Sequence, residues 1–164
     1  MLTIRPAADR DHEPIWHIFR TVVEAGDSFV FDPETPFDEA LAFWFGPGVS
    51  AYVAEHDGRV VGSYILKPNQ PGLGSHVGNA AYMVAPEARG MGIGMALGEH
   101  SLREASRLGY QALQFNIVVS TNEPAMRLWK RLGFTIVGTL PGAFRHATLG
   151  FVDAHVMFRT LEAV

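Results

Sequence analysis

The chain contains no cysteine in its 164 residues. That absence removes disulfides, thiolate nucleophiles and cysteine-ligated metals together. Its seven histidines show no ligand spacing, so no metal is expected. Positive charge is also short: 13 Lys+Arg stand against 17 Asp+Glu, a formal net charge of −4. Such a balance offers no broad basic field, and nucleic acid is not expected as a partner. No stretch approaches the roughly 18 uncharged apolar residues of a membrane span. The opening MLTIRPAADRD has no apolar signal region either, so a cytoplasmic protein without a membrane partner is expected. Charged residues are 18% and hydrophobic ones 48%, which excludes a disordered or coiled-coil chain. The length suits one domain with a substantial core, and no repeat or linker interrupts residues 1–164.

What is present centres on residues 77–109. An apolar run from Val77 to Ala85 breaks at Pro86, passes through Arg89-Gly90-Met91-Gly92-Ile93-Gly94, and enters a helical pattern that stops at Gly109. This reads as strand, tight turn and helix. Glycines at the turn let a ligand approach the backbone, and the first helical N–H groups point outward without intrahelical partners. Such a start suits a phosphate or pyrophosphate, and Arg89 adds a cation at its mouth. The glycine spacing is not G-x-G-x-x-G, so a dinucleotide fold is not indicated. No Gly-Lys-Ser or Gly-Lys-Thr ending marks a triphosphate loop.

In chain order, Leu2 to Arg5 alternates as a strand, and Asp9 or Asp11 is placed to cap a helix carrying Ile15, Ile18, Phe19, Val22 and Val23. Residues 24–37 form a loop whose aromatics either wall a pocket or anchor the loop to the core. A helix follows from Phe37 to Phe45. Strands 50–55 and 59–66 form a hairpin around Asp57-Gly58. The strand from Val77, the helix over 90–108 and a strand over 111–118 make a parallel strand–helix–strand unit. Asn122 suits an N-cap and Pro124 a first-turn position, with Gly133 ending that helix. Phe134–Leu140 and Gly150–Phe158 close the chain as strands joined by PGAFRHATLGF. The count is seven strands and four helices in an α/β (α+β) domain, with a mixed, mostly antiparallel sheet.

Two ordered motifs make this sequence resemble the Gcn5-related N-acetyltransferases. One is Val84-Ala85-Pro86 running into Arg89-Gly90-Met91-Gly92-Ile93-Gly94. The other is Asn122-Glu123-Pro124-Ala125 with Trp129 and Leu132-Gly133-Phe134. The resemblance covers the full chain and implies acyl transfer from acetyl-coenzyme A to an amine. Ser75-His76-Val77-Gly78-Asn79-Ala80, Phe115-Asn116-Ile117-Val118 and Asn122 further resemble fungal acetyltransferases of azetidine-2-carboxylate and their bacterial relatives. That narrower likeness implies that Asn79 and Asn116 face an amino-acid acceptor, with Asn122 between acceptor and cofactor. Both strand asparagines interrupt apolar runs, and a buried amide must find partners, either in a substrate or in the local backbone.

The cofactor residues expected on this reading are Met83, Val84, Arg89, Gly90, Met91, Gly92, Ile93, Gly94, Met95, Asn122, Ala125 and Trp129. The pantetheine arm would lie along Tyr82 to Val84 like an added strand. A backbone N–H near Val84 would stabilise the developing oxyanion. Trp129 stands where many family members place a tyrosine acid, and indole cannot supply that proton. Tyr82 is the alternative acid, or water protonates the thiolate. Glu24, Asp27, His76 and His146 are the weak candidates for a base. The favoured acceptor is a small amine, an amino acid or analogue. A peptide N-terminal acetyltransferase and a non-catalytic acyl-coenzyme A-binding domain are the alternatives. Eleven phenylalanines and three tryptophans, with Phe144 and Phe151 near the last strands, suggest a homodimer.

Overall fold

In the computed structural model, which describes residues 1–162, seven strands form one sheet in the order β1-β2-β3-β4-β5-β7-β6. They are β1 (Leu2–Pro6), β2 (Ser50–His56), β3 (Arg59–Pro68), β4 (Val77–Val84), β5 (Ala112–Val119), β6 (Thr135–His146) and β7 (Gly150–Thr160). Every neighbouring pair is antiparallel except β4–β5. The helices are α1 (His12–Ala25), α2 (Phe37–Trp44), α3 (Ile93–Arg107) and α4 (Glu123–Arg131). Alternation along β3 sorts α2 from α3. The Ser63 hydroxyl accepts from the Trp44 indole of α2 at 2.9 Å, while a Cβ at neighbouring Gly62 would stand 3.1 Å from Ile93 and Leu97 of α3.

Helix α1 buries Ile15, Ile18, Phe19, Val22 and Val23, the stripe its spacing predicts. Its start is different. Neither Asp9 nor Asp11 caps it through a side chain. The Asp11 carboxylate instead accepts from the Ala8 N–H at 2.8 Å and from both arms of Arg5 at 2.8 and 2.9 Å. Arg5 also reaches Glu55 at 2.9 Å, which ties the first helix to the sheet edge. Asp11 is only 2% exposed, and the Arg5 guanidinium holds its carboxyl below the usual carboxylate range. Asp11→Ala is expected to cost about 3 kcal/mol, because the Ala8 N–H loses its acceptor and Arg5 loses its bidentate partner, keeping only Glu55. Because the folded pKa is lowered, this stability is present above the ordinary carboxylate range near ~4 and is lost as pH falls through the folded value. Urea titrations of wild type and Asp11→Ala between neutral and acidic pH check this; the two curves should converge in acid.

The β2–β3 hairpin turns through Asp57 (φ 49°) and Gly58 (φ 78°), both left-handed as a tight two-residue turn requires. The closing strands run longer than their hydrophobic pattern suggests. Rather than ending at Leu140, β6 continues through Pro141 to His146, with its register shifted between Leu140 and Phe144. Proline is tolerated there because β6 is the sheet's edge. At the irregularity the Gly142 N–H donates to the Asp153 carboxylate at 2.9 Å. Extension of β6 carries the hairpin tip to the α1–α2 loop, where the Ala147 N–H donates to the Gly26 carbonyl at 2.9 Å. Gly26 must be small at this contact: a Cβ there would lie 2.7 Å from that of Ala147.

Candidate active site

Strands β4 and β5 run parallel for only three residue pairs, from Val77–Ala112 to Asn79–Gln114, and then diverge. On its other side β4 stays bonded to β3, with Asn69 N–H on Val77 O and Ala85 N–H on Val61 O. In an antiparallel ladder such paired residues alternate, so the odd positions of β4 serve β3. The N–H and C=O groups of Tyr82 and Val84 therefore point into the gap, where β5 no longer meets them. On β5, a register shift between Phe115 and Val118 bulges the strand at Asn116-Ile117. Bulges commonly re-aim side chains beside active sites.

A cavity of about 1050 Å³ passes through this gap. At one end stands the start of α3. Gly90 and Gly92 have φ of 80° and 78°, a left-handed conformation that glycine adopts without strain. The helix begins with Ala96 N–H on Gly92 O. The N–H groups of Ile93, Gly94 and Met95 are thus left outside the helical ladder. Met91 differs from expectation, since its N–H bonds to Ala88 O at 3.4 Å and its side chain is half exposed and outside the wall. Met95 also lies outside the wall, although its backbone belongs to the helix start. Arg89 lines the cavity and has no carboxylate partner among the described residues. A donor cluster with a free cation fits a pyrophosphate.

The expected residues Asn79, Tyr82, Met83, Val84, Asn116, Asn122, Ala125 and Trp129 all line the same cavity. Their hydrogen bonds refine their roles. The Asn79 amide donates to the Gln114 carbonyl at 3.0 Å, the last rung before the strands diverge. Asn116 is exposed rather than buried, accepting from the Gln114 amide at 3.0 Å and donating to Asn69 at 2.8 Å. It thereby holds the connection after β3 against β5. Asn122 caps α4 by accepting from the Ala125 N–H at 3.3 Å, which leaves its amide NH₂ free.

Tyr82 is poorly set up as a proton donor. Its hydroxyl lies 2.7 Å from that of Ser101, which in turn lies 2.7 Å from Gly98 O. Burial pushes its pKa up, which weakens it as an acid. Trp129 packs at 4.6 Å from both the Tyr82 and Phe115 rings and supplies a wall without a proton.

The opposite end is built by residues that periodicity could not place. Phe29 and Phe31 of the α1–α2 loop line the cavity and also pack on Phe19 at 6.4 and 5.1 Å, so the loop both anchors and walls. Phe43 of α2 and Ile117 join them. Of the weak base candidates, Asp27 and His146 reach the wall. Glu24 pairs with Arg20 at 2.9 Å, and neither it nor the exposed His76 lines the cavity. His146 Nδ1 accepts from the N–H groups of Thr148 and Leu149, which assigns its ring proton to Nε2 and leaves no lone pair to act as base. Among the described residues no three His, Asp or Glu gather as a metal site would need. No helix among them is long and apolar enough to cross a membrane.

Comparison with known proteins gives the same answer along the whole chain. Residues 12–134 match the model of the acetyltransferase (GNAT) family. The N-acetyltransferase aca1 of Schizosaccharomyces pombe is 31% identical over 151 residues, covering 82% of this chain and 72% of that protein. The L-amino acid N-acetyltransferase AaaT of Escherichia coli is 30% identical over 162 residues, covering 96% of this chain and 97% of its own. The solved structure of a GCN5-related N-acetyltransferase from Kribbella flavida is 45% identical, with a TM-score of 0.93 and 98% of both chains covered.

Proposed function

Because the chain belongs to the acetyltransferase (GNAT) family, we propose that it transfers an acetyl group from acetyl-coenzyme A to the amine of a small acceptor, an amino acid or close analogue. The observation that carries this reading is the opened β4–β5 gap, with a phosphate-type helix start at one end and an amide-and-aromatic chamber at the other. Acetyl-coenzyme A, when bound, supplies the acetyl thioester. The α3 start and Arg89 would hold its pyrophosphate. Main-chain groups of Tyr82 and Val84 would pair with its amide arm as a strand partner does. The Val84 N–H is the donor for the thioester oxygen. Trp129 and Phe115 exclude water from one side. Proton removal from the acceptor falls to water beside Asp27, the carboxylate in the wall.

Support for a small acceptor comes from the roof. The Gly26–Ala147 contact joins the α1–α2 loop to the β6–β7 hairpin across the acceptor end, where a peptide substrate would need an open groove. The amino-acid name of the Escherichia coli relative points the same way. The test is a thiol-release screen of the free amino acids, azetidine-2-carboxylate, polyamines and short peptides. Turnover is expected with free amino acids or the proline analogue. Turnover on peptides alone would replace this reading with N-terminal acetylation, and no turnover with any amine would leave a binding domain.

A homodimer is the expected assembly. Phe144, counted above among the aromatics at the interface, is buried in the protomer at 5% exposure. Phe151 at 76% and Val137 at 60% are not, and with Ile136 and Leu140 they leave apolar side chains exposed along the edge hairpin. Light scattering should give about twice the 18.0 kDa chain mass. Phe151→Glu with Val137→Lys should return the monomer.

A further inference from the structure

We propose that Lys67 selects acceptors that carry a carboxylate beside the amine, by offering its ammonium to that carboxylate at the acceptor end of the cavity. This rests on the small-amine reading above and names the acceptor's charge. Lys67 lies near the end of β3, and its Cα pairs with that of Asn79. In an antiparallel pair, directly opposed side chains lie on the same face of the sheet. Its ammonium rests 4.1 Å from the centre of the Phe43 ring. Asn79 and Phe43 are both wall residues, so the lysine, which does not itself line the cavity, stands directly beside its acceptor end.

Its charge is not answered within the protein. No carboxylate among the described residues lies within ion-pair distance of Lys67. The side chain is half-buried, and desolvation lowers its pKa with no opposing attraction. A ring face offers weak compensation compared with a carboxylate. A partly desolvated cation without a carboxylate partner suits an anion, and its flexible stem can swing from the ring towards the chamber.

The chamber contains little else that could do this. Arg89, the arginine of the wall, stands at the α3 end where the pyrophosphate is expected. The acceptor end is otherwise Phe29, Phe31, Phe43 and Ile117 with the amides of Asn79 and Asn116, beside Asp27 and His146, of which the Asp27 carboxylate attracts the amine and not the acid group. Amides orient a carboxylate but do not neutralise it. The same apolar walls suit an aliphatic or cyclic side chain.

The experiment uses the best free amino acid from the screen and its carboxamide, which keeps the amine and removes the charge. Wild type should prefer the acid. Lys67→Met preserves the stem over Phe43, and should raise the Michaelis constant for the acid roughly tenfold to a hundredfold. The carboxamide and acetyl-coenzyme A constants should change by less than about twofold, while Lys67→Arg keeps much of the preference for the acid. Lys67→Gln serves as the second neutral variant if the methionine protein does not fold. Equal losses on acid and carboxamide, or no loss on either, would overturn the assignment while leaving amine acetylation intact. Wild-type preference for the carboxamide would overturn it as well. If wild type acetylates peptides alone, the small-amine reading fails first, and the role of Lys67 with it.

Discussion

A Gly92→Val protein is expected to fold and yet to bind acetyl-coenzyme A about a hundredfold or more weakly than wild type. Two features combine at this position. Gly92 is the residue from which α3 starts, and its φ of 78° lies where a β-branched side chain is strained. That strain is on the order of 1–3 kcal/mol, which a domain of ordinary stability survives. A Cβ at Gly92 would meet no protein atom within 4 Å. The added bulk therefore enters open space in front of the helix N–H groups, where a pyrophosphate would sit. Calorimetry on a variant whose circular dichroism matches wild type reads the effect. Unchanged affinity in such a protein would remove the cofactor assignment. Arg89→Ala should weaken binding less, because the main-chain donors remain.

Asn79→Ala and Asn116→Ala are each expected to lower catalytic efficiency on the acceptor tenfold to a hundredfold, corresponding to roughly 1–3 kcal/mol for a lost hydrogen bond to the acceptor. The Michaelis constant for acetyl-coenzyme A should stay nearly unchanged. The two variants reach that loss differently. Asn79 also closes the last rung between β4 and β5, so its removal lets the two strands diverge sooner. Asn116 holds Asn69 and Gln114, so its removal frees the connection that follows β3. Asn122→Ala should disturb both substrates and cost about 1 kcal/mol as a lost cap. Stopped-time kinetics with either substrate varied separates these patterns. Wild-type efficiency in folded Asn79→Ala and Asn116→Ala proteins would refute the acceptor placement.

Local chemistry is short-ranged, and what depends on it was readable from the residues in order. The stripe of α1, the Asp57-Gly58 hairpin, the Asn122 cap and the glycine turn before α3 each follow from a handful of neighbours along the chain. The two motifs also carried the family, and they mark the turn before α3 where the cofactor is proposed to bind. Tertiary structure decided the rest, because it rests on residues that meet only across the fold. The Asp11 carboxylate could serve as a cap until Arg5 and Ala8 were brought to it. The Tyr82 hydroxyl reads as a free acid along the chain, and only the fold buries it and brings it to Ser101, a full strand–helix crossing away. Extension of β6 past Pro141 is permitted by its edge position, which no residue in the strand encodes. The proposed acceptor chamber joins the α1–α2 loop, α2, β4, β5 and the tip of the β6–β7 hairpin. Its shape is set by the divergence of two parallel strands, and hydrogen bonding between strands depends on register, which apolar periodicity leaves open.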